Sequence, residues 1–183
     1  MSKFPVLHTE RLILRAFQMD DAPAVQTYVS KKEIAATTLN IPHPYTLEMA
    51  EEWIATHRDA FNNGQAVRFA ITLRDGGRLV GAIGLEITAA HERAELGYWI
   101  GTPHWGKGYC TEAAKAVLQY GFDSLELERI FATHFHKNPA SGRVMQKAGM
   151  KHEGRLRHHI KKWGKSEDLE MYSILRSKTG HGH

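Results

Sequence analysis

The stretch Trp105-Gly106-Lys107-Gly108-Tyr109-Cys110-Thr111-Glu112 constrains this chain more than any other. A β-compatible run, Leu96 to Ile100, ends just before it, and a helix-compatible run, Thr111 to Phe122, begins at its far edge. The chain must therefore pass from a strand through a glycine turn almost directly into a helix. Gly106 and Gly108 admit backbone conformations that residues with a Cβ resist. Such a turn aims several backbone N–H groups at one spot, and the positive end of the helix dipole adds to them. That describes an anion site, most naturally for a phosphate or pyrophosphate, with Lys107 adding charge. The spacing is neither a Walker loop nor the Gly-x-Gly-x-x-Gly dinucleotide turn. Glycines alone would equally make a plain turn between two elements, so the neighbouring segments have to decide.

Before this stretch the pattern reads as a strand over Arg11 to Phe17, then a helix through Tyr28 and Val29 that Asp20 or Asp21 would cap. An irregular segment, Lys31 to Tyr45, follows. A second helix, capped by Thr46, carries either Met49, Trp53 and Ala60 or Ala50, Ile54, His57 and Phe61 at helical spacing and stops at Gly64. Three strands come next: Ala66 to Leu73, Leu79 to Ile87 and Ala94 to Ile100. The turn signal Asp75-Gly76-Gly77 joins the first two, and such short connections predict antiparallel neighbours. Beyond the helix lie a strand from Arg129 to Phe135, a short helix from Asn138-Pro139 to Ala148, and strands over Met150 to Ile160 and Asp168 to Leu175. A hairpin turn at Trp163-Gly164-Lys165 separates the last two. The pattern predicts an α+β fold with a mixed, mostly antiparallel sheet and helices on both faces, in one domain over 1–177 with a flexible tail at 178–183.

Composition narrows the class. A formal net charge of +4 tolerates an acidic ligand without demanding nucleic acid. One cysteine, Cys110, rules out an intramolecular disulfide and suits a reducing cytoplasm. No apolar run approaches the length of a membrane span, and the first ten residues lack a signal-peptide core, so a cytoplasmic protein is expected.

The segment Glu95-Leu96-Gly97-Tyr98-Trp99-Ile100, the glycine stretch through Ala113, and the order of elements from Thr9-Glu10-Arg11-Leu12 to Leu175 together resemble the GNAT superfamily of acetyl-CoA-dependent N-acetyltransferases. Within it the chain looks most like the RimJ/RimL branch of ribosomal-protein N-terminal acetyltransferases. The resemblance implies a GNAT-type fold, acetyl-CoA as co-substrate, no metal, and direct attack by a primary amine in a ternary complex. It puts the pyrophosphate loop, Arg/Gln-x-x-Gly-x-Gly/Ala, on Trp105-Gly106-Lys107-Gly108-Tyr109-Cys110 and runs on to Thr111. Trp105 and Cys110 depart from the motif. It also implies that the backbone at Trp99, Ile100 and Gly101 serves the pantetheine arm, which would pair like an extra strand.

A second constellation is Asn138-Pro139-Ala140-Ser141. By resemblance Asn138 contacts the CoA arm. The tyrosine that often protonates the leaving thiolate in the superfamily falls on Met145, which carries no proton to give. Ser141, one turn after Asn138, resembles the serine this branch is thought to use, and its hydroxyl would stabilise charge on the departing sulfur. The plain alternative makes Asn138 a helix cap and Ser141 an ordinary first-turn residue. For the base, Glu95 shares a strand face with Gly97 and Trp99, opposite Ala94, Leu96, Tyr98 and Ile100, and would take the proton an ammonium must lose. An exposed or ion-paired strand glutamate is the alternative there, with Glu86 and His134 as other candidate bases. Cys110 reads as structural rather than nucleophilic.

His134-x-His136 lacks a third ligand nearby and reads as strand histidines, not a metal pair. The basic run Lys151 to Lys165 reads as a solvated hairpin rather than a nucleic-acid surface. The acceptor stays open between a protein N-terminus and a small-molecule amine, and a homodimer is compatible with the sequence. Lys31 to Tyr45 and Lys161 to Lys165 are expected to flank the acceptor cleft. Two other function classes remain at this point: a non-catalytic acyl-CoA sensor and an RNA binder.

Overall fold

The structure is a computed structural model and describes residues 3–177; the expected tail at 178–183 lies outside the described residues. The chain opens with β1 (Leu7–His8) and β2 (Leu12–Ala16), then α1 (Ala22–Val29) with Pro23 in its first turn. Asp21 does not cap α1 with its side chain. Its carboxylate instead accepts from Gln18 N–H at 2.8 Å and from both terminal nitrogens of Arg15 at 2.8 and 2.9 Å. A bidentate guanidinium satisfies a buried carboxylate better than one backbone donor does.

The segment read as irregular contains a helix, α2 (Lys32–Thr37), which buries Ile34 and Ala35. At six residues it is too short to display a helical period. The single helix expected after Thr46 is two, α3 (Leu47–Ala55) and α4 (His57–Asn62). Thr46 caps α3 by accepting from Met49 N–H at 3.2 Å. The break falls at Thr56, whose hydroxyl donates to the Trp53 carbonyl at 2.7 Å and offers the backbone a local alternative to the helix.

The strands β3 (Ala66–Leu73), β4 (Leu79–Thr88) and β5 (Arg93–Ile100) form the expected meander. There follow α5 (Tyr109–Asp123), β6 (Arg129–Phe135), α6 (Pro139–Lys147), β7 (Lys151–Lys162) and β8 (Lys165–Leu175). At the β7–β8 turn Trp163 and Gly164 both have positive φ, 49° and 76°, as a two-residue primed turn requires.

The eight strands of the described residues join one sheet in the order β1-β2-β3-β4-β5-β6-β8-β7. Every pairing is antiparallel except β5 with β6. The helices divide between the two faces. Val25, Val29, Ile34, Ala50 and Ile54 from α1, α2 and α3 pack on Ala70, Ala82 and Trp99. Ala113, Val117, Leu118 and Met145 from α5 and α6 pack on Phe69, Leu85, Leu96 and Ile130.

The parallel contact positions the site. It covers three pairs, Arg93 with Arg129, Ala94 with Ile130 and Glu95 with Phe131, and then the two strands part. Among the described residues the rest of β5 has β4 as its only strand neighbour. It still buries Leu96 on one face and Trp99 on the other, each contributing roughly 1.5–3 kcal/mol, so the sheet can stand open here without β5 detaching. Among the described residues no helix is long and apolar enough to cross a membrane.

Candidate active site

The fork between β5 and β6 opens into two cavities. One, of about 290 Å³, is lined by Thr37 to Ile41, Arg68, Glu86, Glu95, Gly97, Thr133 and His134. The other, of about 380 Å³, runs over the glycine loop and the start of α6. Thr37, Thr38, Tyr98, Trp99 and Ser141 line both.

The second cavity is built around the turn from β5 to α5. Gly106 and Gly108 adopt left-handed φ of 73° and 79°, which their neighbours' side chains would resist. Gly108 is the N-cap of α5 and has no side chain to cap it, so the first-turn N–H groups have no intrahelical partner. Trp105, half exposed, donates its indole N–H to the Ile100 carbonyl at 2.7 Å and ties the loop to the end of β5.

Behind the loop, Arg11 donates to the Lys107 carbonyl and, through Nε, to Glu112, both at 2.8 Å. Its guanidinium also lies 4.7 Å from the Tyr109 ring centroid. Thr9 completes the clamp with a 2.6 Å bond to Glu112. Burial alone would raise the Glu112 carboxyl, but the bonds from Thr9 and Arg11 hold it below the usual range.

Of the residues expected to hold the donor, Trp99, Ile100, Trp105, Gly106, Gly108, Tyr109, Cys110, Thr111, Asn138 and Ser141 line this cavity; Gly101 and Lys107 do not. Gly101 N–H is spent on the Val80 carbonyl at 2.8 Å. By strand alternation the backbone groups of Tyr98 and Ile100 then face away from β4, toward the fork. Cys110 is a neutral thiol, because its apolar surroundings push its pKa up. Asn138 occupies the N-cap position of α6 but makes no capping bond with its side chain. Met145 is buried in the core and lines neither cavity.

Ser141 reaches the fork because α6 passes close over β6. A Cβ at Gly142 would sit 2.7 Å from His134 Nε2, so only glycine allows the approach. The Ser141 Oγ lies 2.8 Å from the Tyr98 hydroxyl, which is also 3.1 Å from the Ser141 carbonyl. Burial keeps the Tyr98 phenol well above its ordinary pKa and hence protonated.

On the other side of the fork Glu95 stands at the last paired position of β5, directly across from Glu86 on β4. Burial raises its pKa most, and the Glu86 charge raises it further, against a lowering contribution from Thr133. Glu86 is ion-paired to Arg68 at 2.7 Å. His134 directs Nδ1 at the Phe135 carbonyl at 2.7 Å, and burial lowers its pKa, so it is neutral. His136 instead bonds Glu170 at 2.8 Å, as His152 and Arg155 do at 2.6 and 2.7 Å.

The two segments expected to flank the cleft touch each other. Lys162, at the tip of the β7–β8 hairpin, is 8% exposed and donates to the Thr38 and Ile41 carbonyls at 2.8 and 3.2 Å. Sequence reasoning read Lys162 as one of a solvated basic run. The structure turns it inward, onto two carbonyls of the segment that follows α2.

Four other residues at the site were not singled out from sequence: Tyr98, Arg68, Arg143 and Lys147. The last two are one helical turn apart on α6 and both line the donor cavity, a spacing visible in the sequence. Tyr98 carried no such signal, since strand alternation put it on the face opposite Glu95.

A family model described as acetyltransferase (GNAT) domain matches residues 11–151. The "Uncharacterized N-acetyltransferase YoaA" of Bacillus subtilis (strain 168) is 36% identical over 176 residues, covering 96% of this chain and 99% of that protein. The crystal structure of an acetyltransferase (GNAT family) from Bacillus anthracis superposes with a TM-score of 0.85 at 30% identity, over 94% of this chain and 99% of that one. RimL, described as a ribosomal L7/L12 alpha-N-protein acetyltransferase in complex with coenzyme A, shares the fold, with a TM-score of 0.86 at 18% identity over 93% of this chain and 98% of that one.

Proposed function

This chain belongs to the GNAT acetyltransferase family, and on that premise we propose that it moves an acetyl group from acetyl-CoA to a primary amine, with the donor over the glycine loop and the acceptor in the cavity beside Glu95. The observation that carries this reading is that the two cavities share Thr37, Thr38, Tyr98, Trp99 and Ser141, so a molecule in one lies against a molecule in the other along that common wall.

The donor set suits CoA. Free N–H groups at the start of α5 match a pyrophosphate, Arg143 and Lys147 add positive charge, and the edge of β5 that β6 leaves at the fork can take an extended amide-bearing arm. Bound acetyl-CoA supplies the acetyl group as an activated thioester. The protein's own residues manage protons and position. Glu95 takes the proton that leaves the acceptor nitrogen its lone pair, directly or through water. Ser141 donates its hydroxyl hydrogen bond toward the sulfur, where negative charge develops. Asn138, with its side chain uncommitted to the helix, is available to the donor arm.

The acceptor reading is a single ammonium on a small, largely neutral body, in the manner of a protein N-terminus and of the RimJ/RimL branch. Its support is the charge balance of the cavity. Arg68 neutralises Glu86, which leaves Glu95 as the one unpaired carboxylate among the cavity's described residues to meet a single ammonium, and Leu39, Ile41, Trp53 and Phe135 supply apolar wall. A polyamine would need several ionised carboxylates to replace its hydration. Free-thiol release measured with acetyl-CoA and a panel of amines tests both levels. Peptides with free N-termini are expected to turn over at least tenfold faster than spermidine at equal concentration. The reverse order would overturn the acceptor reading. Acetyl-CoA binding without turnover on any amine would leave a non-catalytic sensor.

A further inference from the structure

We propose that Tyr98 is a positioning residue for the transfer: its phenol holds Ser141 so that the serine hydroxyl is free to donate to the departing sulfur. The inference rests on the reading of Ser141 given above. Its origin is the pair of distances at one oxygen, 2.8 Å from Tyr98 to Ser141 Oγ and 3.1 Å to the Ser141 carbonyl.

A phenol carries one hydrogen, so these two contacts allow two arrangements. In the first, Tyr98 donates to the Ser141 carbonyl and Ser141 donates back to the phenol oxygen. The serine hydrogen is then occupied. In the second, Tyr98 donates to Ser141 Oγ, and the serine hydrogen is released toward the shared end of the two cavities. Rotation of two hydroxyls interconverts them without moving a heavy atom. Negative charge on the sulfur favours the second, because a chain of two donors polarises in the same direction.

Serine by itself is a poor source of hydrogen bonding to a thiolate, being far less acidic than a thiol. A donor behind it strengthens it. Burial suits Tyr98 to this task, since it disfavours phenolate and keeps the hydroxyl hydrogen in place. Tyr98 therefore keeps its proton throughout. Attack by the amine nitrogen forms the C–N bond and breaks the C–S bond, with the electron pair leaving on sulfur. One ammonium proton passes to Glu95 and solvent before attack. A second, shed as the amide forms, ends on the sulfur.

Tyr98→Phe removes the hydroxyl alone. Its kcat is expected to fall about tenfold, with both KM values within about twofold of wild type. Ser141→Ala should fall at least as far, and the double variant should match Ser141→Ala alone, because the phenol acts through the serine. A readout independent of turnover is the pKa of the thiol in bound CoA, followed by thiolate absorbance against pH. Both single variants should raise it, by about one pH unit for Tyr98→Phe if the tenfold effect is on thiolate stabilisation.

An unchanged rate and thiol pKa in Ser141→Ala would remove the serine from the mechanism, and this inference with it. A full effect in Ser141→Ala with none in Tyr98→Phe would overturn the inference alone. So would an equal Tyr98→Phe effect in the Ser141→Ala background. Should Tyr98→Phe melt well below wild type, 3-fluorotyrosine at position 98 preserves the packing with a more acidic phenol. It should lower the bound-thiol pKa, and no shift would overturn the inference.

Discussion

Arg11 grips Glu112 twice, with its backbone N–H on one carboxylate oxygen and its Nε on the other, both at 2.8 Å. The same guanidinium reaches the Lys107 carbonyl, so the start of β2 fastens the glycine loop and the first turn of α5 together. The pair is partly exposed and contributes little to global stability, on the order of 0–1 kcal/mol. Its effect falls on the loop. Arg11→Ala is expected to weaken CoA binding about tenfold by calorimetry while the melting temperature moves only slightly. Unchanged affinity would mean that the loop holds its shape without the clamp.

Gly108 combines a φ of +79° with a position where a Cβ would lie 3.4 Å from the Arg11 guanidinium. Gly108→Val puts a β-branched residue into a left-handed conformation it resists. CoA affinity should drop by tenfold or more, with the acceptor cavity untouched. Retained affinity would count against the assignment of the loop to the pyrophosphate.

Glu95 must be ionised to accept a proton, and burial places its pKa above the usual carboxylate range. The acid limb of kcat/KM should therefore lie above that range. Glu95→Gln should lose roughly a hundredfold in rate, together with that limb. The linkage sign follows from a raised folded-state pKa. The stabilising proton is held at low pH and lost as pH rises through that pKa, so Glu95→Gln should melt higher than wild type at neutral pH. A variant with the wild-type pH profile would send the search to Glu86 or His134.

Lys162 ties the hairpin tip to the segment roofing the acceptor cavity. Lys162→Met keeps the aliphatic stem and removes the donor. KM for the amine should rise several-fold with acetyl-CoA affinity unchanged. An equal loss of affinity for both substrates would point to general unfolding instead.

His57 is buried between Phe17 and Trp53, and neither ring nitrogen has a hydrogen-bond partner among the described residues. Burial, with help from Arg68, lowers its pKa from 6.5 to about 4. The unfolded chain binds a proton in that window and the folded one does not, so stability falls as pH drops from 6.5 toward 4. The integrated loss is about 3 kcal/mol. Denaturant titrations should find His57→Leu flatter over this range, and a parallel decline would assign the acid sensitivity elsewhere.

Local signals were strong where one element decides its own geometry. The glycine loop, the meander from Ala66 to Ile100 and the turn at Trp163-Gly164 were all legible, because φ restrictions and period-two alternation act within a few residues. The α2 helix and the break at Thr56 were not. One is too short to show a period, and the other depends on a single hydroxyl competing with the helix. The inward turn of Lys162 is not legible, because sequence gives its charge but not the Thr38 and Ile41 carbonyls that the fold brings to it.

The sequence by itself determined the family, the order of the strands and of the two later helices, and the loop, since each rests on residue type and local spacing. Only the tertiary structure decided where β5 and β6 part. The parallel pairing stops at Glu95 and Phe131, thirty-six positions apart in the chain. That divergence leaves Glu95 at the base of the fork, and the close passage of Gly142 over His134 brings Ser141 against Tyr98. Such contacts depend on how far a helix can approach a sheet, which is a property of packed side chains and not of any one segment.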